Sequence, residues 1–158
     1  MKTQAALQDA QTIAHENSHQ EIDGEHLLLA LVRQEDSLIP PLLQKLGVQI
    51  PQLTADLNRE LSRRVKVQGT SSHDVFWSNN VKKALDAADK EAGKLKDEYL
   101  STEHLLLGLI EEGGAGLQKI FQNHHVTRDS VLKALVDLRG NQRVTDATPE
   151  DKFQTLEK

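Results

Sequence analysis

The chain has 158 residues, a formal net charge of −5, 37% hydrophobic residues and only 3% aromatic ones, so its core must be built from Leu, Val, Ile and Ala on small, closely packed helices. The acidic balance, with no basic stripe, gives no general attraction for nucleic acid, and no apolar run nears the ~20 residues of a membrane helix. The absence of cysteine excludes disulfides, thiolate metal sites and a thiol nucleophile, and it suits a cytoplasmic chain.

In chain order, residues 2–15 place Ala6, Leu7, Ala10, Ile13 and Ala14 on one helical face, and a polar break covers 15–20. Asp23 is a good N-cap for a second helix, with Glu25 in its first turn, where the helix dipole favours a negative charge. That helix runs to about Gln34 and is apolar over most of its circumference, which predicts a buried, central position. Ser37 can cap a third helix with Pro40 and Pro41 near its start, and Gly47 closes it. Pro51 opens a fourth, whose inward face is Leu53, Leu57 and Leu61. After the Gly- and Ser-containing stretch 65–78, Ser78 caps a fifth helix that turns Val81, Ala84, Leu85, Ala88, Ala92 and Leu95 inward. Ser101 caps a sixth helix, ended by Gly113, Gly114 and Gly116. A short seventh follows, and Thr127 caps an eighth that stops at Gly140. Thr148-Pro149-Glu150 reads as the start of a further helix, as expected of a piece of a longer protein.

These elements are two copies of one unit. Glu25-His26-Leu27-Leu28-Leu29-Ala30-Leu31 returns as Glu103-His104-Leu105-Leu106-Leu107-Gly108-Leu109, from position 25 to position 103, a displacement of 78. The same displacement, without a gap, lays Ala6 on Ala84, Ala10 on Ala88, Ala14 on Ala92, Gln44 on Gln122, Val48 on Val126 and Leu57 on Leu135. Such a repeat, seen only twice, predicts a pseudo-twofold pair sharing one core. The expectation is an all-α, eight-helix domain of two four-helix repeats with no convincing strand. Its parts are repeat one at 1–64, a linker at 65–78, repeat two at 79–139, and a linker with the start of a helix at 140–158.

The doubled Glu-His-Leu-Leu-Leu-x-Leu helix, each copy preceded by an Ala-rich helix, resembles the N-terminal domain of Clp-type AAA+ chaperones. The stretch Arg139-Gly140-Asn141-Gln142-Arg143-Val144-Thr145-Asp146, with Pro149-Glu150-Asp151, resembles the junction into the first ATPase domain of the ClpB-type disaggregases. This chain contains no G-x-x-x-x-G-K-[ST] phosphate loop, so it is read as non-catalytic and without a cofactor of its own. The resemblance places ATP and Mg in the remainder of a homohexameric parent. It implies recruitment of unfolded or aggregated protein by a domain that is monomeric when isolated, or, as in the ClpC branch, docking of adaptors or degradation tags. A His/Glu hydrolase and a purely structural module are the competing classes. The family's short Thr-containing segment before the first helix is absent or displaced, since the chain begins Met1-Lys2-Thr3.

Glu25 and Glu103 are the sharpest candidate site residues. First-turn stabilisation of a helix dipole, about 0.3–1 kcal/mol, is the bland alternative. The resemblance implies that the acidic residue of the second motif acts in chaperone function, and that both positions receive basic or phosphoarginine tags in the ClpC branch. It also makes Asp97 a position for handling aggregates, against an ordinary solvated loop charge. It further implies an apolar groove beside the fifth and sixth helices, offering Ala84, Ala87, Ala88, Leu95, Leu100 and Leu107, most of them core, with Ala87 and Leu100 as the surface choices. Glu91 and His104 stand where many relatives carry Leu, making one wall of that groove more polar. Phe76 and Trp77 are either a partner contact or a fold-back over the core. His26 and His104 read as half-buried and hydrogen-bonded. His15, His19, His124 and His125 lack the spacing of a metal site, and no nucleophile–base pair converges.

Overall fold

The computed structural model describes residues 2–34, 37–64, 76–95, 97 and 100–139. Among them run eight helices: α1 (Lys2–Glu16), α2 (Gly24–Arg33), α3 (Ile39–Lys45), α4 (Ile50–Ser62), α5 (Asn79–Lys94), α6 (Thr102–Glu112), α7 (Ala115–Asn123) and α8 (Arg128–Arg139). The all-α expectation holds, four helices matching four along the 78-residue displacement. Residues 65–75 of the expected linker and the whole stretch 140–158 lie outside the described residues.

α2 and α6 are the central pair. Every residue of α2 from Gly24 to Val32, and of α6 from Thr102 to Leu109, is buried. This is why their sequences are apolar nearly all round. α1 packs on α2 and α5 on α6, while α3 against α8 and α4 against α7 join the halves, so one core draws on both. Gly108 permits the closest of these approaches, since a Cβ there would stand 2.1 Å from the Ala84 carbonyl oxygen. Ala30 holds the same place in the first half, fully buried.

The displacement reaches into backbone detail. Gly47 (φ +85) and His125 (φ 57) both turn left-handed, and the following Val48 and Val126 N–H groups donate to the Leu43 and Phe121 carbonyls at 3.0 and 2.8 Å. One departure from the all-helical expectation appears. β1 (Glu21–Ile22) and β2 (Phe76–Trp77) pair in parallel, Glu21 opposite Phe76 and Ile22 opposite Trp77. Two residues are too few to show alternation in sequence. The pairing sets Phe76 59% exposed and packs Trp77 against the core, so only the Trp folds back.

Candidate functional site

Both motif helices begin with a capping box in which the motif histidine takes the part usually played by Glu or Gln. The Asp23 N–H donates to His26 Nδ1 at 2.9 Å, and the Ser101 N–H donates to His104 Nδ1 at 2.8 Å. With Nδ1 accepting, the proton of each neutral ring sits on Nε2. His26 Nε2 lies 2.9 Å from His19 Nδ1, and His104 Nε2 lies 2.7 Å from Asp97 Oδ2. His19 and Asp97 are themselves 78 residues apart, and their backbone N–H groups close onto the Ala14 and Ala92 carbonyls at 2.8 and 2.9 Å. His26 and His104 are therefore fully buried rather than half-buried, and the Asp97 side chain is buried rather than a solvated loop charge. Burial, with the nearby His19 and Arg64 charges, pushes the His26 pKa down to about 4.

Asp23 is a hub. Its carboxylate accepts from the Gly24 N–H at 2.8 Å, Ser78 Oγ at 2.9 Å and Asn80 Nδ2 at 3.3 Å, and Arg64 Nη1 stands 2.8 Å away. Burial works to raise its pKa, but the Gly24 hydrogen bond, Arg64, Ser78 and Asn80 together hold it below the ordinary value. Glu25 is buried beside it and accepts from Arg64 Nη2. Its pKa is pushed up by burial and by Asp23, against the pull of Arg64. Glu103 is also fully buried, accepting from Ser101 Oγ. The two motif carboxylates thus share a position, and both lie beneath the surface.

A cleft of about 460 Å³ lies along α5 and α6. α5 contributes Lys83, Lys90 and Lys94 with Asp86, α6 contributes Glu111 and Glu112, and Ala87 and Glu91 lie between. Glu91 is almost wholly buried and accepts two hydrogen bonds from Arg128 of α8, Nε to Oε1 at 3.0 Å and Nη2 to Oε2 at 2.9 Å. This pairing holds the guanidinium above its usual pKa. Lys94 Nζ lies 3.6 Å from Glu91 Oε1, and Glu111 Oε1 lies 3.7 Å from Arg128 Nε.

Of the expected site residues, Ala87 and Glu91 line this cleft, and Leu100 is half-buried against the core. Glu25, Glu103, His104 and the Asp97 side chain are buried instead, so His104 does not make a groove wall polar. Ala84, Ala88 and Leu107 are core, which leaves Ala87 as the one apolar lining residue of the cleft among the described residues. Sequence reasoning missed Arg64, Arg128 and His19. A signal existed for His19, because it precedes His26 by the same seven residues that separate Asp97 from His104. Among the described residues no group of three or more His, Asp or Glu could hold a metal ion, and no helix is long and apolar enough to cross a membrane.

Comparison with known proteins places this geometry. The family described as the Clp repeat (R) N-terminal domain matches residues 1–124. The chain is 42% identical, over 99% of its length, to Chaperone protein ClpB of Nitratidesulfovibrio vulgaris, and 38% identical over 99% to that of Bacillus cereus. It spans 18% of the length of each of these relatives. Its fold matches the Hsp104 N-terminal domain from Candida albicans with a TM-score of 0.77, at 20% identity, covering 90% of this chain and 91% of that one.

Proposed function

The chain belongs to the Clp repeat N-terminal domain family, and from that membership we propose that it recruits unfolded or aggregated polypeptide for an ATP-driven ring in a ClpB-type chaperone. The observation that carries this reading is the 42% identity to a protein named as a ClpB chaperone, over 99% of this chain. The cleft along α5 and α6 supports it, being an open trough of about 460 Å³. Capture is weak and reversible, because a tight complex would block hand-over, and tethering to the ring raises the local client concentration. The domain performs no chemistry; ATP and Mg belong to the remainder of a cytoplasmic, hexameric parent.

Amide chemical-shift mapping of the domain with a permanently unfolded polypeptide tests the reading. Shifts concentrated on α5 and α6 around Ala87 and Glu91 are the expected result. No saturable shifts with any unfolded polypeptide would overturn recruitment, and leave a structural module or an adaptor dock.

A further inference from the structure

The internal repeat supplies its own comparison for the cleft. Seventy-eight residues before Glu91 and Arg128 stand Ile13 and Ile50, the first buried and the second packed against the core. At the place where the first half keeps two isoleucines, the second half keeps a buried carboxylate bonded twice to a guanidinium. Burying the Glu91 carboxylate costs desolvation that its bonds to Arg128, a third exposed, largely offset, so the pair gains little over a well-packed apolar pair. Stability therefore does not explain the exchange, and the place of Glu91 in the wall of the α5–α6 cleft offers a different explanation.

We propose that Glu91 and Arg128 determine the specificity of this cleft, making it a seat for an extended polypeptide segment with charged side chains of both signs rather than an apolar one. This rests on the recruitment reading above and names the class of segment recruited. Glu91 sets a carboxylate into the wall, and Arg128 behind it neutralises that charge, with Lys94 and Glu111 close by. On either side the walls differ in sign. Lys83, Lys90 and Lys94 outnumber the exposed Asp86 on α5, and Glu111 and Glu112 lie on α6. An extended strand turns successive side chains to opposite sides, so a segment alternating acidic and basic residues would present its acids to α5 and its bases to α6. Ala87 keeps the space between low enough for backbone to enter.

Fluorescence anisotropy with three labelled twelve-residue peptides tests this: alternating Glu-Lys, alternating Gly-Ser, and a Leu-rich peptide. The alternating charged peptide is expected to bind at least tenfold more tightly than either of the others, and to lose most of that advantage between 50 and 300 mM salt. The double variant Glu91→Ile/Arg128→Ile, which copies the first half, is expected to fold and to reverse the preference toward the Leu-rich peptide. Lys83→Glu/Lys90→Glu, confined to exposed positions, is expected to weaken the charged peptide alone and serves if the double variant fails to fold. Equal binding of the three peptides, salt-insensitive binding, or an unchanged order in both variants would overturn the proposal. A permanently unfolded polypeptide included as a control separates the two readings. Its failure to bind counts against recruitment itself, whereas its binding without charge preference counts against this specificity alone.

Discussion

His104 donates through Nε2 to Asp97 Oδ2 at 2.7 Å, with both side chains wholly buried. The loop before α6 is thereby tied to the helix start that it precedes. The first half makes the same tie from His26 to His19, so the repeat conserves a geometry while exchanging a carboxylate for an imidazole. Asp97→Asn keeps an acceptor for His104 and should cost little. Asp97→Leu strands a buried N–H and should cost about 1–3 kcal/mol, read as a lower urea midpoint at unchanged slope. Equal losses for the two variants would show that Asp97 acts through its charge and not as an acceptor.

The His26 ring predicts the acid limb of stability. Burial, with His19 and Arg64 nearby, lowers its pKa from 6.5 to about 4 in the folded chain. The folded value is depressed, so its contribution is present in full above about pH 6.5 and is lost as pH falls toward 4. That fall corresponds to roughly 3 kcal/mol. His26→Gln retains a side chain able to accept from the Asp23 N–H but cannot titrate. Its unfolding free energy should be lower at pH 7 and flatter between pH 6.5 and 4.5. A slope equal to that of the parent would assign the acid loss elsewhere.

The helices and most caps were legible in the sequence for a local reason. Asp23, Ser78 and Ser101 act on N–H groups within three residues, and Leu53, Leu57 and Leu61 recur at the helical period that α4 buries. The partners of Glu25 and Glu91 were not legible. Arg64 reaches Glu25 from 39 residues away and Arg128 reaches Glu91 from 37, separations set by packing that leave no periodic trace. The inward face of α5 was legible, because its apolar residues recur at the helical period. The stripe of Ala84, Ala88 and Ala92 on α5 faces the core, which leaves the lysines of α5 to form the cleft.

Gly108→Ala should loosen the second half more than its one added methyl suggests. The new Cβ would stand 2.1 Å from the Ala84 carbonyl oxygen and 3.0 Å from the Ala88 nitrogen, both backbone atoms that move only if α5 moves. Overpacking of this kind costs about 1–3 kcal/mol, more than the ~1 kcal/mol that Ala gains over Gly in a helix. Thermal unfolding should show a lower midpoint, and amide exchange should rise first on α5. A stabilised variant would mean that the helices separate without penalty.

Arg64 ties the chain just beyond α4 to the start of α2. It bridges Asp23 and Glu25 from the end of α4, and its side chain is only 28% exposed. Removing one partner of a buried ionic cluster leaves uncompensated charge, a loss of about 3–5 kcal/mol when burial is complete. Arg64→Met should lie toward the lower end of that range at pH 7, since the guanidinium keeps some contact with water. Without Arg64, burial and Asp23 would raise the Glu25 pKa further, and a raised carboxylate takes up its proton at higher pH. The deficit of Arg64→Met relative to the parent should therefore shrink as pH falls from 7 toward 5. Adding Glu25→Gln should restore part of the stability at pH 7, because a neutral amide replaces the stranded charge. Urea unfolding of the parent, the single and the double variants at the two pH values measures each of these quantities. A deficit that stays constant with pH, together with a double variant no more stable than Arg64→Met, would show that the methylenes of Arg64, and not its charge, hold α4 to the start of α2.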